Sequence, residues 1–161
     1  MTGNELSPSA AAVTRKLVGC DVWEDPIEQV PLPPESFTAV TVWEVIEHVP
    51  DPRGFVRRIL ELLKPGGYLA ITTPNWESPW ERATTDFFRM PPYHLSYWTP
   101  PTLTRLLQDA GFVGVETARK PFAWTEELGP SAPFQLPLSV FRAVVLGQRG
   151  NRLFALARKP S

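Results

Sequence analysis

With 161 residues, 43% of them apolar and 20% charged, the chain has the make-up of one globular domain with a sizeable buried core. A net charge of −1 offers no footprint for nucleic acid or an anionic membrane, which leaves small or uncharged partners. A single cysteine, Cys20, excludes an internal disulfide framework; no apolar run approaches the roughly 20 residues of a membrane span and the Met1 region has no basic stretch followed by an apolar one, so a cytoplasmic protein is expected.

Met1 to Leu6 reads as the end of a strand. Ser7-Pro8 then predicts a helix start, with Ser as cap and Pro at the first helical position, running to Leu17. A short strand is expected over 19–23, followed by a turn-rich stretch through Pro34. Residues 38–43 (TAVTVW) are β-branched and almost wholly apolar, as in a strand covered on both faces. Asp51-Pro52 opens a second helix, with Phe55, Ile59, Leu62 and Leu63 at helical spacing and Arg57, Arg58, Glu61 and Lys64 elsewhere on the wheel. Pro65-Gly66-Gly67 is expected to end it and to feed a buried strand over 68–73. Thr99-Pro100 starts a third helix, stopped by Gly111, with a strand over 112–116. A short helix over 137–146 and a last strand over 152–158 complete the order. The 19 prolines cluster near 31–34, 50–52, 91–101 and 130–137, as punctuation between elements.

Strands alternating with helices predict an α/β domain with a mostly parallel sheet and an antiparallel last strand. Ligands of such sheets lie beyond the carboxyl ends of the strands, so the residues after Trp43 and Thr73 are the ones to examine.

The ordered set WEVIEHV, KPGG, TPN, HLSYWT and AGF, centred on residues 35–75, resembles the class I S-adenosylmethionine-dependent methyltransferases. The resemblance is closest to the branch of ubiquinone-biosynthesis O-methyltransferases, and implies a Rossmann-like fold. It divides the chain into a cofactor-side remnant (1–34), core strands and helices (35–120), and a variable segment with the last strand (121–161). It implies that Glu5 accepts from the ribose hydroxyls of S-adenosylmethionine, unless it is only a solvated carboxylate. It also implies that Asp25 to Ile27 border the adenine and that Trp43 flanks the methionine end, unless Trp43 is a core aromatic. Pro26 and Thr38 depart from the family's usual acidic residues. No Gly-x-Gly-x-Gly precedes Glu5. Loss of two backbone hydrogen bonds from such a loop weakens cofactor binding about 100-fold or more. The chain thus reads as a domain lacking its first strand, either a fragment, a misplaced start or a natural remnant. The 38–43 strand would then have an open edge, which predicts a homo-oligomer or rearranged pairing.

Glu44, Glu47 and His48 stand at i, i+3 and i+4, one face of a helical turn. Two carboxylates and an imidazole suit Mg²⁺, Mn²⁺ or Zn²⁺, with His94 as a fourth ligand. Relatives that use such a turn hold a divalent metal there. A metal would lower the pKa of a coordinated acceptor hydroxyl. Without metal, His48 is a candidate general base, with Glu47 beside it. The alternative is a solvated turn in which His48 bonds a backbone carbonyl. Trp76, Trp80, Phe87, Phe88, Tyr93, Tyr97 and Trp98 form either an acceptor lid or a satellite core, and Asn75 either bonds substrate or caps a turn. The expected activity is O-methyl transfer to a small molecule. The alternative is a catalytically incompetent binding or oligomerisation module.

Overall fold

The computed structural model describes residues 1–78, 81, 90–120 and 150–161. The helix expected over 137–146, together with Trp80, Phe87 and Phe88, lies outside them. The elements in order are β1 (Thr2–Asn4), α1 (Pro8–Val18), β2 (Asp21–Trp23), β3 (Phe37–Trp43), a 3₁₀ turn (Ile46–His48), α2 (Pro52–Leu62), β4 (Leu63–Pro74), α3 (Pro100–Ala110), β5 (Val113–Lys120) and β6 (Arg152–Arg158).

Each of the helices α1, α2 and α3 begins where a capping side chain precedes proline. The Ser7 hydroxyl accepts from the Ala10 N–H, and the Asp51 carboxylate accepts from the Arg53 and Gly54 N–H groups at 3.1 Å each. Thr99 and Thr102 satisfy each other's backbone N–H groups reciprocally. Gly19 and Gly111 close α1 and α3 in the left-handed conformation, at φ 68° and 108°. The end of α2 differs from expectation. The helix passes into β4 at Leu63, and Lys64 to Gly67 lie inside the strand instead of terminating the helix. There the pairing with β3 jumps from Phe37↔Leu63 to Ala39↔Tyr68. A Cβ on Gly67 would stand 2.9 Å from the Lys64 carbonyl oxygen and 3.1 Å from that of Thr38, so the bulge needs glycine.

β1 pairs in parallel with β2 as one two-stranded unit; the second sheet has the order β3-β4-β6-β5. β3 and β4 are parallel, and only β6 runs antiparallel to its neighbours β4 and β5. The expected α/β arrangement with an antiparallel last strand is therefore present. The core lies between one face of this sheet and the two helices α2 and α3. Val42, Leu69, Ile71, Leu153 and Ala155 from the strands meet Phe55, Ile59, Leu103 and Leu107 from the helices.

One expectation needs correction. β3 is not covered on both faces: Thr38, Ala39, Thr41 and Trp43 are exposed, and Trp43 keeps 59% of its surface. Among the described residues the helices cover one face only, and β3 ends the sheet with β4 as its one described partner. Arg58, away from the apolar stripe of its helix, nevertheless has a side chain only 16% exposed. Its guanidinium donates to the carbonyls of Val30 and Leu32 at 2.9 Å and of Ile27 at 3.4 Å, clasping the loop between β2 and β3 to α2.

Candidate functional site

β3 and β4 end side by side, with Trp43 opposite Thr72. Glu44 follows in the left-handed region at φ 50°, an uncommon conformation for a side chain with a Cβ. Its N–H donates to the Thr72 carbonyl at 3.1 Å. This sharp corner redirects the chain, so the 3₁₀ turn presses Ile46 into the core and folds Glu47 back onto the end of β4. Glu47 is 2% exposed, and its Oε2 accepts from the Thr73 hydroxyl at 3.0 Å. The Leu95 and Ser96 N–H groups donate to the Glu47 carbonyl at 2.7 and 3.2 Å, which ties the segment carrying His94 across the turn. His48 donates from Nδ1 to the Tyr93 carbonyl at 2.7 Å. Its Nε2 therefore carries the lone pair of the neutral ring and lies 3.9 Å from Glu47 Oε1. The His94 ring stands edge-on to that of His48, with centroids 4.8 Å apart.

Burial pushes the Glu47 carboxyl above its ordinary value, and the like charge of Glu44 adds to the rise. Bonding to its backbone, the Thr73 hydroxyl and His48 in its protonated form oppose it. Glu44 itself is turned elsewhere: its Oε2 is 2.7 Å from Arg152 Nη1, on β6, and its Oε1 is buried with no hydrogen-bond partner among the described residues. The expected alignment of Glu44, Glu47 and His48 on one helical face does not form, because the left-handed residue precedes the turn. Glu47, His48 and His94 do converge, with ligand atoms all within 4.8 Å of one another. One carboxylate oxygen and two imidazole nitrogens make a donor set that fits a divalent first-row metal, and the carbonyl on His48 Nδ1 is the usual orienting partner of a metal-binding histidine.

The residues expected around the donor lie at or after the carboxyl ends of β1, β2 and β3. Glu5 follows β1, half-buried, with Oε1 accepting from the Ser7 N–H at 2.8 Å. Asp25, exposed, follows β2, and its carbonyl accepts from Asn4 Nδ2 at 2.8 Å. Ile27 packs partly against the core cluster. Trp43 borders a hollow of about 240 Å³ on the uncovered sheet face, shared with Ala70, Thr72, Ala118, Phe154 and Leu156. Asn75 caps: it is fully buried, donates to the Gly150 carbonyl at 2.8 Å and accepts from the Glu77 N–H at 3.2 Å. Of the aromatic group, Trp76 and Tyr97 stack at 4.3 Å, Trp98 is buried, and Tyr93 is 44% exposed. Thr73, Arg152 and Glu81 were not expected at the site. Glu81 is 4% exposed and lines a small cavity with Glu47 and His94. Only the threonine had a signal in sequence, its place at the end of a parallel strand.

A family profile described as a methyltransferase domain matches residues 2–117. The ubiquinone biosynthesis O-methyltransferase of Xanthomonas campestris pv. campestris is 55% identical over 42 residues, which are 26% of this chain and 18% of that protein. The enzyme of the same name from Proteus mirabilis is 32% identical over 95 residues, 45% of this chain and 39% of that one. The chain thus spans at most about two fifths of the length of these curated relatives. The crystal structure of an S-adenosylmethionine-dependent methyltransferase from Thermotoga maritima shares the fold, with a TM-score of 0.75 at 23% identity over 98% of this chain and 72% of that one. The strand order, the acidic turn after β3 and the match over 2–117 together establish that this chain belongs to the class I S-adenosylmethionine-dependent methyltransferase family.

Proposed function

We propose that the chain acts in transfer of a methyl group from S-adenosylmethionine to an oxygen of a small-molecule acceptor, with the chemistry at the turn after β3. The observation that carries this reading is the buried Glu47, held by Thr73 beside His48 and His94 at the carboxyl end of two parallel strands. Glu5, Asp25, Ile27 and Trp43 are the donor-side residues in this reading, the first three beyond their strands and Trp43 the last residue of β3.

His48 is the base. Its Nδ1–H is committed to the Tyr93 carbonyl, so Nε2 takes the acceptor proton as the O–H bond breaks. The oxygen pair forms the new O–CH₃ bond, the S–CH₃ pair returns to sulfur, and S-adenosylhomocysteine leaves. The Glu47 carboxylate, 3.9 Å away, stabilises the imidazolium that results. In the alternative form of this reading, in which His48 is a ligand and not the base, a divalent cation, Mg²⁺, Mn²⁺ or Zn²⁺, would be held by Glu47, His48 and His94 and would supply a more acidic acceptor hydroxyl. Calorimetry with Mn²⁺ and Zn²⁺ tests this: binding is expected in the native chain and lost in Glu47→Ala/His48→Ala, and equal affinity in both rejects the site.

A second reading, a module for binding or self-association, draws on the uncharged, proline-free edge of β3, which has no partner strand on that side among the described residues. Titration with S-adenosylmethionine, combined with transfer of its radiolabelled methyl group to phenolic and catecholic acceptors, separates the two. A Kd below about 100 μM, or roughly −5.5 kcal/mol, with methyl transfer supports the enzyme. No binding at millimolar donor and no transfer supports the module.

A further inference from the structure

Glu47, His48 and His94 bring their ligand atoms within 4.8 Å of one another, and Glu44, one residue past the end of β3, is not in that group. Its Oε2 lies instead 2.7 Å from Nη1 of Arg152, the first residue of β6. This placement costs Glu44 in two ways. Its backbone sits at φ 50°, where a residue with a Cβ is disfavoured, and its Oε1 is buried with no hydrogen-bond partner among the described residues. Strain of this kind persists only where surrounding contacts enforce it. Three contacts do so here. The Glu44 N–H donates to the Thr72 carbonyl at 3.1 Å and to the Thr72 hydroxyl oxygen at 3.3 Å, and Arg152 holds the side chain.

The two Thr72 contacts fix the backbone; the ion pair alone acts on the carboxylate. Glu44 is near enough to Glu47 for its charge to be felt there. The cluster that faces a cation thus has one carboxylate and two imidazoles, while a second carboxylate is kept beside it by a guanidinium that stays charged at any working pH. A nitrogen-rich set of this kind suits Zn²⁺. Mn²⁺ and Mg²⁺ prefer oxygen and gain most from an added carboxylate. We infer that Arg152 is a positioning residue that withholds Glu44 from the cluster and thereby sets its preference among divalent cations. The inference rests on the metal-holding form of the reading above.

Calorimetric titration with Mn²⁺ and Zn²⁺, of the native chain and of Arg152→Gln, tests it. With its partner removed, Glu44 joins the cluster, so Mn²⁺ binding is expected to tighten roughly tenfold while Zn²⁺ binding changes by less than about threefold. In Arg152→Gln/Glu44→Gln that gain is expected to vanish, because the carboxylate is its source. A gain that survives in the double variant, or that Zn²⁺ shares equally, reflects only the loss of a positive charge and overturns the inference. Unchanged Mn²⁺ binding in Arg152→Gln overturns it too. Should Arg152→Gln not fold, as judged by circular dichroism, Glu44→Gln alone decides. Mn²⁺ affinity equal to that of the native chain is expected, and a loss of about tenfold makes Glu44 a ligand already and rejects the withholding role. A native chain that binds neither cation rejects the metal-holding reading and this inference with it, whereas binding without the Arg152 effect rejects this inference alone.

Discussion

Glu47 is the residue on which burial and chemistry conflict. Its carboxyl lies above the ordinary value of 4.5 because ionising it in so dry a place is costly. The folded chain therefore holds this proton more tightly than the unfolded one. The resulting stability is complete below the unfolded pKa and disappears as pH rises through the folded value. Glu47→Gln is accordingly expected to melt higher than the native chain at pH 7, with the difference vanishing near pH 4, as followed by circular dichroism. The Thr73 hydroxyl works in the opposite sense, favouring the charged form. Thr73→Val keeps the shape, drives the carboxyl further up and should cost about 1–3 kcal/mol in urea unfolding at pH 7. Glu47 and His48 were legible in sequence because they are neighbours in a short motif. Arg152, the partner of Glu44, was not, since 108 positions separate them and only the placement of β6 beside β4 brings them together.

Among the elements, the helix starts were the most legible part of the fold. Ser7-Pro8, Asp51-Pro52 and Thr99-Pro100 each combine a capping oxygen with a residue that needs no N–H partner, a purely local arrangement. Strand coverage was less legible. An apolar, β-branched segment such as β3 suits a pleated surface, but its composition does not reveal whether one face or two will be covered. Arg58 is a similar case. Its helical position suggests solvent, whereas its donors satisfy three carbonyls of the loop that carries Ile27 towards β3. Arg58→Ala is expected to cost at least about 2 kcal/mol, because those partly buried carbonyls lose charged donors together. Hydrogen exchange should report the same change as faster exchange over residues 27–35, with α3 unaffected.

For the molecule as a whole, the edge of β3, which has no second partner strand among the described residues, is the feature with the largest consequence. Phe37 to Trp43 carries no charge or proline to discourage pairing. We propose that a second copy pairs along this edge, so that light scattering gives twice the 18.1 kDa of one chain. Thr41→Lys, which places a charge on the exposed edge strand, is expected to return the mass to that of a monomer. A native chain that scatters as a monomer would reject the pairing.

The sequence by itself determined the alternation of strands and helices, the caps, the family and the Glu-His turn, because each is written in local patterns of a few residues. Only the tertiary structure decided which sheet face is covered, that Glu44 turns to Arg152 while Glu47 meets Thr73, and that Trp98 and Glu81 share a cavity with His94. Those pairings depend on how distant segments pack against the ends of β3 and β4, and no short-range rule specifies them.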